Sequence, residues 1–235
     1  MRTAVVTGAS RGLGAAFARV LAEEGCSLAL GARDVDGVRA VADELASEHV
    51  VEATAGHLDV TDEDSLIRFR AEVVERFGRV DIVVANAGIG SFAPIVATDA
   101  DDVRAMLEVN VTGLLSTLKT FAADLLAAPT RGMVVVITSD VSARVFPGGA
   151  AYVATKHAAR AIARTFQQEH PELRVCELRP GATATHFAGG SPDRDLHGHL
   201  TADEVAETLR TAISLPDHVR VEELVVRSAT QAPDL

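Results

Sequence analysis

Tyr152, the only tyrosine of the chain, stands four residues before Lys156 in the stretch AYVATKHAAR (151–160). On a helix, positions i and i+4 share a face, with Cβ atoms about 5–6 Å apart. An ammonium at that distance favours phenolate over phenol. The spacing therefore predicts a tyrosine drawn below its usual pKa of about 10 and able to exchange protons near neutral pH. An ordinary surface pair on a helix would share this spacing, so the pair alone does not define a site. A second stretch, TGASRGLG (7–14), carries Gly8, Gly12 and Gly14 at G-x3-G-x-G spacing, with Ser10, Arg11 and Leu13 between them. Glycine lets a chain turn sharply and lets a ligand approach the backbone. A helix N-terminus behind such a turn attracts a pyrophosphate through its free N–H groups and its dipole. The Gly-Lys-Ser/Thr of a P-loop is absent, so the expectation is dinucleotide binding.

The elements that must position these groups alternate along the chain. Short apolar runs predict strands at 3–7, 26–30, 50–55, 80–85, 133–138, 173–178 and 223–228. Helical patterns fill 12–24, 35–46, 62–77, 101–127, 150–169 and 202–214. The first four or five strands are nearly continuous in apolar residues, as expected of a parallel sheet covered on both faces. The expected fold is α/β: one Rossmann-type, doubly wound parallel sheet of about seven strands flanked by helices, in a single domain over 1–235. The loop-rich segment 185–200 is too short for a second domain and suits a substrate lid.

Composition narrows the function classes. The net charge of −11 disfavours nonspecific binding to nucleic acid or to an anionic membrane. No run of about 18 apolar residues could span a bilayer, and no signal peptide precedes the first strand. A cytoplasmic protein is expected. Cys26 and Cys176 read as buried thiols.

Further motifs then carry a resemblance. TGASRGLG resembles the cofactor turn of the short-chain dehydrogenases/reductases. Asn86, Ala87 and Gly88 (NAG) resemble that family's second signature, and YVATK (152–156) resembles its Tyr-x3-Lys motif. Ser139 lies thirteen residues before Tyr152, where the family has its catalytic serine. Asn110, in EVNVTG, falls where its fourth catalytic residue sits. RPGATAT (179–185) resembles the segment that holds the nicotinamide carboxamide, which assigns Pro180, Gly181, Thr183 and Thr185 to the cofactor. The resemblance implies an oxidoreductase that moves a hydride between the nicotinamide and a secondary alcohol or ketone. Tyr152 would be the acid/base and Lys156 would lower its pKa and bond the ribose. Ser139 would bond the substrate oxygen, with Ser142 the competing serine, and Asn110 would hold a relay water. It also implies a homodimer or homotetramer. A non-catalytic NADP(H) sensor of the same fold, or an isomerase or epimerase, are the competing readings.

At the end of the second strand, Ala32 stands where an NAD site usually has an acid. Arg33 follows it, and Arg11 is a second cation on the same side. A guanidinium suits the 2′-phosphate of NADP, so NADP(H) is expected over NAD(H), unless a one-residue shift brings Asp34 to the ribose. Asp59, with Val60 beside it, resembles the adenine contact and reads equally as a helix cap. His186, His197, His199, Asp193 and Asp195 read as a polar lid rather than a metal centre, and Phe187 and Leu196 as its apolar walls. DADD (99–102) reads as a helix start. Asp140, next to Ser139, reads as a charge at the mouth of the site that suits a polar or cationic substrate or points outward.

Overall fold

The computed structural model describes residues 1–192 and 198–231. Seven strands, β1 (Thr3–Thr7), β2 (Ser27–Ala32), β3 (Ala53–His57), β4 (Ile82–Ala85), β5 (Met133–Ile137), β6 (Arg174–Pro180) and β7 (Glu223–Val226), form one sheet. Their order is β3-β2-β1-β4-β5-β6-β7, and every pair is parallel. The helices between them are α1 (Gly12–Glu23), α2 (Val35–Glu48), α3 (Glu63–Phe77), α4 (Ala100–Leu107), α5 (Gly113–Ala127), α6 (Ala150–Glu169) and α7 (Ala202–Ile213). This is the expected doubly wound Rossmann-type sheet.

The apolar runs explain the layering. All residues of β1, β2, β4, β5 and β6 are buried, because helices cover both faces. Phe17, Leu21, Leu45 and Leu209 of α1, α2 and α7 pack on one face with Val6, Leu30 and Val135. Phe69, Phe121, Leu125 and Phe166 of α3, α5 and α6 pack on the other with Val5, Val83 and Val134. Asp34, Asp62, Asp99 and Thr201 accept N-terminal N–H groups of α2, α3, α4 and α7. DADD is thus a helix start, as its charges suggest.

Three expectations shift. β3 begins at Ala53 rather than 50 and is only half-buried, because it is the sheet's edge and Val50 stands in solvent. Cys26 precedes β2, which runs on to Ala32; both cysteines are free and buried, and burial pushes the Cys176 thiol up to about 12. The helix expected over 101–127 is two helices, joined by a π turn over Glu108–Thr112. The wider turn holds Asn110 inward, in keeping with the placing of such bulges at functional sites. Among the described residues no helix is long and apolar enough to cross a membrane.

Phe121 is fully buried at the centre of one layer. Phe121→Ala should lower the unfolding free energy by about 3–5 kcal/mol in urea titrations. A loss under about 1 kcal/mol would mean that layer is not packed as described.

Candidate active site

The carboxyl ends of the strands open into a cleft of about 840 Å³. Every residue assigned to the cofactor by sequence lines it: Gly8, Ser10, Arg11, Gly12, Leu13, Gly14, Arg33, Asp59, Val60, Asn86, Ala87, Gly88, Tyr152, Lys156, Pro180, Gly181, Thr183 and Thr185. Ser139 lines it too, and Asn110 lies one layer behind.

At one end the glycine turn leaves β1. Gly8 and Gly12 have φ of +66° and +58°, a region that favours glycine. A Cβ on Gly14 would overlap the Gly8 carbonyl oxygen and crowd Asn86 Nδ2. α1 follows with no side-chain cap and no acid in its first turn, so its N–H groups and dipole are available to an anion. The turn is locked from the next strand. Thr7 Oγ1 accepts from the N–H groups of Asn86 and Ala87, both at 3.0 Å. Asn86 Nδ2 donates to the carbonyls of Thr7 at 2.9 Å and Gly8 at 3.1 Å. NAG is therefore first a clamp on the cofactor turn.

Arg11 and Arg33 are exposed at the cleft's edge. Asp34 accepts from Gly37 N at 3.0 Å and caps α2, which leaves Ala32 and Arg33 at the end of β2. Asp59 is not the cap of α3. It lines the cleft, while Asp62 is the cap of α3. Burial raises its pKa, but bonds from Thr61 N and Oγ1, at 3.0 and 2.8 Å, with the charges of Arg33 and His57, outweigh this and hold it below the usual range.

At the other end, α6 carries Tyr152 and Lys156 on one buried face. The expected downward shift of Tyr152 is not found. Burial is the largest influence and raises its pKa; a hydrogen bond with Ser139 pulls it down and the charge of Asp140 pushes it up again. Lys156 Nζ points to the Ile137 carbonyl, 3.0 Å away, and lies 5.7 Å from the tyrosine ring centroid. Its own burial lowers its pKa to about 8. Both groups are thus driven toward their neutral forms, and desolvation outweighs the attraction the spacing suggested.

Asn110 is buried in the π turn. Its Nδ2 donates to Ile89 O at 2.8 Å and Thr155 Oγ1 at 3.0 Å, and its Oδ1 accepts from Ile89 N at 2.9 Å. The side chain ties the loop after β4 to α6. Ser142 turns away from the cleft and donates to buried Glu177 at 2.9 Å, which leaves Ser139 as the serine facing Tyr152. Asp140 is 4% exposed and paired with Arg144 through Nε at 3.0 Å. It also accepts from Gln231 Nε2 at 2.7 Å, so its charge is already matched and does not ask for a cationic substrate. Asp193, Asp195, Leu196 and His197 of the expected lid lie outside the described residues. Leu200, at the end of the lid, bridges to Thr183, just before its start. Among the described residues no cluster of possible metal ligands occurs.

Residues 2–195 match the family described as short chain dehydrogenase. The chain belongs to that family. A solved alcohol dehydrogenase from the archaeon Thermococcus sibiricus, complexed with 5-hydroxy-NADP, is 49% identical over 100% of both chains, with a TM-score of 0.97. A metagenomic short-chain oxidoreductase in complex with NADP is 30% identical over 96% of both chains, with a TM-score of 0.82. Glycine betaine reductase ATRR of Emericella nidulans is 35% identical over 96% of this chain, which spans only 18% of that protein's length.

Within this short-chain dehydrogenase, several residues at the site are given no role by the motifs. Arg179 donates to the carbonyls of Ser139 and Asp140, at 3.4 and 3.0 Å, and holds the serine loop from behind. Gln231 bridges Asp140 and the backbone N–H of Ala182, the latter at 3.2 Å. Phe92 and Phe146 line the cleft from loops whose sequences have no periodicity. Only their place, after the fourth and fifth strands, could have pointed to them.

The buried lysine predicts a pH signature in the cofactor-free short-chain dehydrogenase. Below about pH 8 the folded protein holds a buried ammonium, whereas an unfolded lysine keeps its proton up to about 10.5. Between these values the unfolded state binds more protons, so stability rises with pH. Above pH 10 the raised Tyr152 acts in the opposite sense, which sets the window at pH 8–10. The difference in urea unfolding free energy between wild type and Lys156→Met should climb by of order 2 kcal/mol across it. A flat difference would show that Lys156 is not desolvated.

Proposed function

We propose that this chain is an NADP(H)-dependent oxidoreductase that interconverts a secondary alcohol and a ketone of a small molecule, with Tyr152 as acid/base. The observation that carries this reading is one cleft with two chemistries: an uncapped helix behind a glycine turn at one end, and Tyr152, Ser139 and Lys156 together at the other. The cradle fits a dinucleotide because Gly8 and Gly12 take positive φ and Gly14 admits no Cβ, so the turn presents bare backbone ahead of the uncapped α1. NADP(H), when bound, supplies or accepts the hydride.

The chain's own residues do the rest. The α1 N-terminus and Gly12 to Gly14 meet the pyrophosphate. Arg33 and Arg11 meet the 2′-phosphate, for which a guanidinium fork is suited. The Thermococcus and metagenomic relatives, solved with NADP or its analogue, support the same choice. Ser139 donates a hydrogen bond to the substrate oxygen and steadies the charge that grows there. Tyr152, kept as a phenol by burial, gives its proton to that oxygen in reduction and takes one back in oxidation. Lys156 bonds the ribose and stabilises the tyrosinate form. Asn110 is a positioning residue, acting through Ile89 and Thr155. The chain works as a homodimer or homotetramer, in keeping with the exposed Leu107, Leu115 and Leu126 on α4 and α5.

Two measurements test this. Tyr152→Phe should lower kcat for ketone reduction by roughly 10²–10⁴-fold while the Kd for NADPH stays within a factor of about three. Normal turnover by this variant would remove Tyr152 from the chemistry. Arg33→Ala should weaken NADPH binding by about 10- to 100-fold and leave NADH binding nearly unchanged, as expected for one charge-assisted pair of about 1.5–3 kcal/mol. An equal effect on both cofactors would place the 2′-phosphate elsewhere.

A further inference from the structure

Around Tyr152 the cleft wall is aromatic, in a chain with only eight phenylalanines. Three of them converge there from separate loops. The Phe92 ring stands edge-on to Tyr152, 5.4 Å between centroids at 87°. Phe187 tilts against the other side, 5.5 Å away at 58°. Phe146 backs Phe92 at 5.7 Å and 63°. The two Phe92 pairs are edge-to-face, the positive rim of one ring meeting the negative face of the next, and the Phe187 pair is tilted.

The same rings are incompletely buried. Phe92 and Phe187 are 49% and 38% exposed, although phenylalanine side chains are ordinarily packed. Ile89 and Val141 line the wall near them. Gly90 belongs to the same arrangement, since a Cβ there would strike the Phe187 ring. The wall's opposite charges answer each other: Arg144 pairs with Asp140, and Asp140 also takes Gln231 and Ser139 Oγ, the latter at 3.3 Å. A substrate carboxylate or phosphate would have to share the Arg144 guanidinium with Asp140, whose negative charge opposes it. An apolar ring has only to cover apolar surface already presented to it.

We infer that the substrate is an aryl ketone, or the matching secondary arylalkyl alcohol, whose ring packs against Phe92 and Phe187 while its oxygen reaches Tyr152 and Ser139. This assignment rests on the acid/base reading of Tyr152. Phe92 and Phe187 are the specificity-determining pair. Both rings could extend their edge-to-face contacts to a third aromatic ring, which a saturated ring of equal bulk cannot reproduce.

The test compares NADPH consumption with acetophenone, cyclohexyl methyl ketone, 2-butanone and pyruvate, on the wild type and on Phe92→Ala and Phe187→Ala, with the Kd for NADPH measured on each. Wild-type kcat/KM for acetophenone should exceed that for 2-butanone by at least roughly 30-fold. It should exceed that for cyclohexyl methyl ketone by about 3-fold or more. Each alanine variant should cut the acetophenone-to-butanone ratio by about tenfold and leave the NADPH Kd in place. A ratio of two rates on one sample cancels any loss of folded protein. Equal rates for the aryl and cyclohexyl ketones, a preference for pyruvate, or a ratio untouched by both variants would overturn the aryl assignment and leave the reading of Tyr152 standing. Tight NADPH binding with no ketone reduced would overturn both.

Discussion

One threonine hydroxyl and one asparagine amide hold the centre of this molecule. Thr7 Oγ1 takes two backbone N–H groups from the end of β4, and the Asn86 amide returns a bond to each of two carbonyls at the end of β1. β1 and β4 are the adjacent strands from which the chain winds outward in opposite directions. At such a point the crossovers part and leave a crevice. Without a tie there, the glycine turn would have no fixed height above the sheet. The direction of α1 and the reach from the turn to Lys156 follow from it. The Asn86 amide even occupies the space that a side chain on Gly14 would need, so the clamp and the glycine requirement are one constraint seen from two sides.

Around Tyr152 and Lys156, electrostatics is governed by loss of water more than by proximity of charge. Tyr152 and Lys156 are 8% and 6% exposed, and each is displaced toward neutrality. The same rule shapes the layer behind the serine loop. Glu177 is 1% exposed and takes hydroxyls from Thr138 at 2.8 Å and Ser142 at 2.9 Å, with Arg160 and Arg164 each 3.6 Å away. A buried carboxylate must be surrounded in this way or protonate. The result is a stiff polar backing that fixes the loop bearing Ser139.

Much of this was legible in the sequence because it rests on local rules. Strand runs and glycine spacing are written in contiguous residues, and so is the Tyr152–Lys156 register, which an unbroken helix preserves. What escaped depends on contacts across long separations. The π turn at Asn110 answers to Ile89 and Thr155, 21 and 45 residues away. The upward shift of Tyr152 depends on how much water the fold excludes, which spacing cannot report. Asp140 looked like an open charge because Arg144 is an ordinary i+4 neighbour and Gln231 lies 91 residues on. Phe187 reads in the sequence as an apolar wall of the lid, but Phe92 and Phe146 come from loops where no periodicity marks a side chain as facing inward.

The sheet order also sets a sequence in time. β3, β2, β1 and β4 are neighbours and are all made by residue 85. The clamp by Asn86 follows at once, so the part of the cleft proposed for the adenosine end can assemble while the rest of the chain is still being synthesised. The part around Tyr152 must wait for β5, β6 and α6, and for Gln231 to reach Asp140 and Ala182. A nascent chain would thus set the shape of its glycine turn well before it completes the surroundings of Tyr152.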